Sequence, residues 1–151
     1  MNADNYILFT VAGTSYALPS QEVAHVEMVD HITRVPNAPP FVDGVVFSRG
    51  QVIPAINLRA RFGFDPAPLD VSARLLVAQS GSRAVGLLVD ACREFMTVPG
   101  SAIHPPGDAL SGESAAYVTG VASVGDRLIV VLGLERLLDA TAHTVPQGAT
   151  V

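Results

Sequence analysis

The sequence Phe41-Val42-Asp43-Gly44-Val45 recurs as Tyr117-Val118-Thr119-Gly120-Val121, and this repeated segment decides the fold. Each copy has an aromatic residue, a valine, a variable residue, a glycine and a valine, and the copies lie 76 residues apart. The register continues without a gap as far as Phe62, which corresponds to Leu138. A repeat of this length predicts that one small architectural unit occurs twice.

The earlier parts of the two copies also match, at a slightly different offset. Ile7-Leu8-Phe9 corresponds to Leu75-Leu76-Val77, and Gly13 to Gly81. Around these segments, short runs of β-forming residues alternate with turn signals and predict nine or ten strands. One turn is especially clear, because Arg49-Gly50 separates two such runs and is typical of a tight hairpin.

Short helical turns complete the pattern. Asn57 is a candidate N-cap for a helix over Leu58–Phe62, Leu134–Leu138 is the corresponding segment in the second copy, and Ser20 is a candidate cap for one turn before the third strand. We therefore predict an all-β fold of two pseudo-symmetric five-stranded barrels around a shared hydrophobic core, with a short helix after the second hairpin of each copy. The expected domain is the whole chain, 1–151, with subdomains at about 6–63 and 73–138 and a tail at 139–151. The groove between such bodies suits an elongated helical partner.

Composition excludes several classes of function. The net charge of −5 and the pI near 5.1 argue against nucleic-acid binding, which needs a basic surface. The single cysteine, Cys92, fits a reducing compartment, and the acidic, lysine-free start does not resemble a signal peptide. No apolar run approaches the roughly 20 residues of a membrane helix, so no membrane insertion is expected. We expect a cytoplasmic protein.

No catalytic or cofactor motif is recognisable. There is no phosphate-binding glycine loop, no nucleophile elbow and no dinucleotide fingerprint. The four histidines, among them His25 and His31, do not have the spacing of a zinc site. We therefore expect no enzyme activity, no cofactor and no metal.

Several segments together resemble the signature of CheW-like domains. The segments that carry this resemblance are Val35-Pro36-Asn37-Ala38-Pro39, Val42-Asp43-Gly44-Val45, Arg49-Gly50-Gln51-Val52-Ile53-Pro54, Asn57-Leu58-Arg59 and Phe62-Gly63. The similarity extends from about Tyr6 to Leu138, with two departures. Phe47-Ser48 replaces the usual Asn-Leu before the arginine, and Asn57 replaces a common aspartate.

This resemblance implies SH3-like barrels and a non-catalytic adaptor. Such an adaptor couples the cytoplasmic helical hairpin of a chemoreceptor to the regulatory domain of a CheA-type histidine kinase in bacterial chemotaxis. It implies recruitment to receptor arrays at the inner face of the membrane, and we expect the isolated protein to be monomeric. A CheW-like adaptor of a non-flagellar pathway, such as pilus-based motility, is the alternative. Less favoured are an oligonucleotide-binding barrel and an enzyme that uses the groove between the barrels.

The resemblance also maps family positions for receptor contact onto this sequence. They are His25, Glu27, Gly44, Arg49, Leu75, Cys92 and Phe95. The kinase-contact residues stay unassigned. From the residues alone, Arg49 is either a solvated hairpin residue or a planar donor for a partner carboxylate, and Glu27 is either a solvated strand residue or a partner contact. Gly44 and Gly120 fit a structural role, Cys92 fits a small groove-lining thiol rather than a nucleophile, and Phe95 fits either the core or the groove.

Overall fold

The computed structural model describes residues 3–106 and 116–138, so the tail predicted at 139–151 lies outside the described residues. This part of the chain forms eleven strands. Their bounds are β1 Ala3–Val11, β2 Thr14–Pro19, β3 Val23–Met28, β4 Val42–Ser48, β5 Gln51–Asn57, β6 Arg74–Ser80, β7 Arg83–Val89, β8 Ala91–Pro99, β9 Ile103–His104, β10 Val118–Val124 and β11 Arg127–Leu132. Helix α1 covers Leu58–Arg61, residues 134–138 are helical, and 3₁₀ turns cover Ser20–Glu22 and Gly100–Ala102. The all-β prediction is confirmed.

The hairpin predicted at Arg49-Gly50 joins β4 to β5. Ser48 pairs with Gln51, so the loop has two residues. Both adopt positive φ, 49° at Arg49 and 88° at Gly50, as the mirror-image turns of tight hairpins require. An arginine in the left-handed region is uncommon, and it places this side chain at the tip of the hairpin.

The strands form two sheets that combine elements from both sequence copies. The six-stranded sheet has the order β8-β1-β2-β11-β10-β9, and the five-stranded sheet has the order β3-β6-β7-β5-β4. Parallel pairing of β2 with β11, and of β5 with β7, joins the copies, whereas the other pairs are antiparallel. The sheets therefore cross the division at 6–63 and 73–138. The division into a first barrel at 6–63 and a second at 73–138 stays a prediction, as does barrel closure.

The hydrophobic core follows the same plan. One large cluster contains residues of both sheets, with Phe9 and Leu18 from the six-stranded sheet and Leu76 and Leu87 from the five-stranded sheet. Each sheet also has its own smaller cluster. The cluster of the six-stranded sheet includes Leu8, and that of the five-stranded sheet includes Leu75. The two sheets thus share a central hydrophobic core, and each also has a smaller core of its own.

The repeated glycines allow corresponding close approaches. A Cβ on Gly44, whose φ is +151°, would lie 2.1 Å from the Thr33 carbonyl oxygen. A Cβ on Gly120 would lie 3.0 Å from the His104 carbonyl oxygen. Thr33 bridges to Val45 on β4, and β9 pairs with β10, so each glycine lets a covering segment lie against its strand. At the opposite edges, β3 and β8, no further strand follows among the eleven described strands.

A helix cap and an ion pair stabilise the connections between these elements. The side-chain oxygen of Asn57 accepts a hydrogen bond from the Ala60 amide at 3.2 Å, which confirms the predicted cap. The predicted Ser20 cap is wrong, because Pro19 occupies the cap position and no side chain caps that turn. Asp90, between β7 and β8, accepts from Arg59 through both oxygens, at 3.2 and 3.0 Å, and from the Ala12 amide.

Candidate partner-binding site

The two uncovered edge strands border a cleft of about 400 Å³. Its lining comes from β3, β8 and neighbouring elements: Ile7, Ser20, Val23, Ala24, His25, Val26, Arg74, Cys92, Glu94 and Phe95. The sequence copies align β3 with β8, since Val26-Glu27-Met28 resembles Arg93-Glu94-Phe95. The cleft therefore lies where repeat-related strands from the two sheets face each other.

A compact polar cluster lies beside this cleft. Alternation along β3 puts His25 and Glu27 on the same side of the strand, and the end of β4 brings Ser48 to them. The Ser48 hydroxyl donates to Oε2 of Glu27 at 2.6 Å, and Nε2 of His25 lies 2.5 Å from the same oxygen. Nε2 of His25 is also 3.2 Å from the Ser48 oxygen. Because the single serine hydrogen is used on Glu27, Nε2 must carry a hydrogen to satisfy these contacts.

Arg49 lies at the border of the cluster, beyond hydrogen-bond distance of Glu27. Its Nε lies 4.0 Å from Oε2 of Glu27, and its side chain is 72% exposed against 27% for Glu27. The pKa of Glu27 is held below its ordinary value, chiefly by the Ser48 hydrogen bond and to a smaller extent by His25 and Arg49. Partial burial acts in the opposite direction, and the three lowering effects together outweigh it. Glu27 therefore stays ionised, and Arg49 keeps most of its donors for other groups.

The cluster contains serine, histidine and glutamate, but it does not have the geometry of a nucleophilic triad. In a triad, the histidine accepts the serine proton on one nitrogen and is oriented by the acid through the other. Here Ser48 and Glu27 both contact Nε2 of His25, and the serine donates to the acid instead. Ser48 is also only 3% exposed, so its oxygen is not presented to a substrate.

The far wall of the cleft belongs to β8. Phe95 is 70% exposed, so its ring belongs to the groove and not to the core. Burial raises the pKa of the Cys92 thiol, with a smaller opposing effect of Arg74, and this environment suits an unreactive apolar contact. Glu94 forms an ion pair with Arg127 at 3.6 Å.

Comparisons with known proteins assign the chain to a family. Residues 5–142 match the model of the CheW-like domain. The chain belongs to the CheW-like family. It is 33% identical to the chemotaxis protein CheW of Rhizobium meliloti, covering 85% of this chain and 83% of the relative. It is 30% identical to protein FrzA of Myxococcus xanthus, over 88% of this chain and 84% of that protein. The crystal structure of the scaffolding protein TtCheW from Thermoanaerobacter tengcongensis superposes with a TM-score of 0.82 at 28% identity, covering 88% of this chain and 90% of that one.

The positions mapped from the family differ in where they lie in this CheW-like chain. His25, Cys92 and Phe95 line the cleft, whereas Glu27 and Arg49 lie beside it in the polar cluster. Leu75 is 3% exposed and packs in the core of the five-stranded sheet. It lies opposite Glu27 in the pairing of β3 with β6. Gly44 is buried against Thr33 and fits the structural role.

Both departures from the family pattern have local partners. Ser48 belongs to the polar cluster. Alternation along β4 places it on the buried side with Gly44 and Val46, but its role was missed because the approach of β3 cannot be read from the sequence. At the second departure, the Asn57 amide donates to Asp43 at 3.1 Å. An aspartate at position 57 would instead place two carboxylates together.

Apolar side chains are also exposed away from the cleft. Phe47 and Val52 pair across the β4–β5 hairpin and are 74% and 64% exposed. Leu128 corresponds to Val52 in the repeat and is 69% exposed. We call these three residues the hairpin faces. Within residues 3–106 and 116–138, no helix is long and apolar enough to span a membrane, and no three potential metal ligands are grouped.

Proposed function

We propose that this CheW-like chain is a non-catalytic adaptor that couples chemoreceptor tips to a CheA-type histidine kinase in bacterial chemotaxis. The observation that supports this proposal best is the open cleft between β3 and β8 in a chain whose family match covers residues 5–142. The related TtCheW is described as a scaffolding protein. A scaffold needs separate surfaces for two partners, and we propose the cleft and the hairpin faces for these two roles.

The cleft suits one face of a receptor helical hairpin. Its exposed apolar residues include Val26 and Phe95. A helix buries apolar residues spaced three and four apart into such a groove. Arg49 then lies at the border, where its guanidinium can pair with a carboxylate of the receptor. In this proposal His25, Glu27, Cys92 and Phe95 shape the receptor site, and Gly44 and Leu75 support it from within the fold.

The kinase regulatory domain requires a surface that leaves the cleft free. The hairpin faces satisfy this condition because Phe47, Val52 and Leu128 are absent from the cleft lining. Exposed apolar residues of this kind are typical of protein interfaces. We propose that the isolated chain is a cytoplasmic monomer that joins receptor arrays at the inner face of the membrane. Multivalent contacts there strengthen modest individual affinities.

The coupling itself is thermodynamic. A receptor that changes state alters its interaction with the cleft, and the same free energy changes how the adaptor holds the kinase. No reaction is required of the adaptor, which agrees with the contacts of Ser48 described above. The similarity to FrzA supports a second candidate, an adaptor of a non-flagellar pathway with the same two surfaces and different partners.

Binding assays with charge-reversal variants test the site. Wild type, Arg49→Glu and Arg34→Glu would be titrated with a receptor tip fragment and, separately, with the kinase regulatory domain. Arg34 is an exposed arginine outside the cleft lining, so its reversal controls for the change in net charge. We expect Arg49→Glu alone to weaken receptor binding by about tenfold or more, since it replaces an attraction by a repulsion. Failure of the wild type to bind either partner would exclude the adaptor function. Equal binding by both variants would exclude the role of Arg49.

A further inference from the structure

Ser48 is the one polar or charged residue that is fully buried within residues 3–106 and 116–138, at 3% exposure. Its sequence neighbours Phe47 and Arg49 are both largely exposed, with side chains pointing away from the core. A buried hydroxyl is costly unless it is hydrogen-bonded. Ser48 meets this need with Glu27 and His25, so its position is tied to theirs.

Glu27 is a carboxylate for which three donors compete. Ser48 and His25 contact Oε2 at 2.6 and 2.5 Å, whereas Nε of Arg49 lies at 4.0 Å from the same atom. Charge-assisted hydrogen bonds at the shorter distances are the stronger ones. The two inner donors therefore offset part of the negative charge that attracts the arginine.

The remaining charged groups near the cleft do not alter this competition. Arg74 donates to the carbonyl oxygens of Val71 and Ala73. Glu94, on β8, is paired with Arg127. Within the described part of the chain, Glu27 has no ion pair other than those with His25 and Arg49. The contacts of Ser48 and His25 at Oε2 thus weaken the attraction of the Glu27 carboxylate for Arg49.

We propose that Ser48 is a positioning residue, which holds Glu27 against His25 and so leaves Arg49 available to an acidic side chain of the helical partner. The inference rests on the proposed function for the identity of that partner. Without the serine hydroxyl, Oε2 of Glu27 regains a free acceptor site. The exposed Arg49 side chain, whose Nε is already 4.0 Å from this oxygen, then donates a hydrogen bond to it. Arg49 is thereby withdrawn from the partner.

A double-substitution experiment separates positioning from a loss of fold. Affinity for a receptor tip fragment would be measured for wild type, Ser48→Ala, Glu27→Gln and the double variant. We expect Ser48→Ala to weaken binding by about fivefold, the scale of one exposed ion pair. The double variant should bind like Glu27→Gln, because no carboxylate remains to hold Arg49. Unchanged binding by Ser48→Ala would overturn the proposal, as would a double variant as weak as Ser48→Ala.

A second measurement needs no partner. The side-chain Nε–H signal of Arg49 would be followed by NMR while Glu27 is titrated with acid. In the wild type we expect little response, since Arg49 is not closely paired, and in Ser48→Ala a clear response. Identical responses would contradict the positioning role. If the wild type binds no receptor fragment, the proposed function fails, and this titration still decides what Ser48 does.

Discussion

Gly44 offers the sharpest test of how the repeat builds the fold. We predict that Gly44→Ala destabilises the protein strongly, because a Cβ at this position would lie 2.1 Å from the backbone oxygen of Thr33. The segment around Thr33 would have to move away from β4 there. This would break the reciprocal hydrogen bonds between Thr33 and Val45, which measure 2.9 and 2.8 Å.

The magnitude follows from two contributions. Loss of two backbone hydrogen bonds costs about 1 kcal/mol each. The φ of +151° at Gly44 is nearly restricted to glycine, and an alanine held there adds about 2 kcal/mol of strain. The expected loss in the free energy of unfolding is about 4 kcal/mol. Gly81→Ala is the matched control, because Gly81 has a φ of +61° but open space around a new Cβ, so only about 1 kcal/mol of strain is expected.

Urea unfolding followed by circular dichroism would give both values, and amide hydrogen exchange would locate the change. In Gly44→Ala, the Val45 amide should exchange faster than in the wild type, even after correction for the lower global stability, because its acceptor, the Thr33 carbonyl oxygen, has moved away. A Gly44→Ala variant no less stable than Gly81→Ala would refute the close-packing explanation of the repeated glycine.

Four further outcomes are expected. Leu76→Ala, at a side chain that is 0% exposed in the shared core, should lower the free energy of unfolding by about 3 kcal/mol in urea titrations. Asp90→Asn should cost about 2 kcal/mol in the same assay, since the two-oxygen contact with Arg59 loses its charge. Because the pKa of Glu27 is lowered in the folded state, ionised Glu27 stabilises the fold at pH values above the ordinary glutamate pKa. This stabilisation is lost as the pH falls through the pKa of Glu27 in the folded protein. The free energy of unfolding of Glu27→Gln should therefore decline less steeply in acid than that of the wild type. Cys92 should react with a thiol reagent at neutral pH more slowly than free cysteine, because burial raises its pKa; equal rates would show an open thiol.

Much of the fold could be predicted because the relevant signals are local. The β4–β5 hairpin matches the one predicted at Arg49-Gly50, since two β-forming segments flank a two-residue turn there. The cap of α1 follows from Asn57 and the residues just after it. The expected shared core is also present, because one cluster combines apolar residues of both sheets.

The remainder depends on contacts that are distant in sequence. The parallel pairing of β2 with β11 joins residues more than a hundred positions apart, and nothing in either strand specifies its neighbour. The same applies to the partners of Ser48, because alternation along β4 places it on the buried side but does not show that His25 and Glu27 of β3 lie there. Leu75 and Phe95 are both apolar strand residues, and only the packed sheets show that one belongs to the core and the other to the cleft.

Simultaneous binding of both partners is the most direct test of the central claim. The wild-type chain would be mixed with a receptor tip fragment and the kinase regulatory domain, and the mixture analysed by sedimentation velocity. If the cleft and the hairpin faces are separate surfaces, a three-component complex should form, and each partner should still bind when the other is saturating. Competition between the two partners for the chain would contradict the adaptor account, as would the absence of binding to either one.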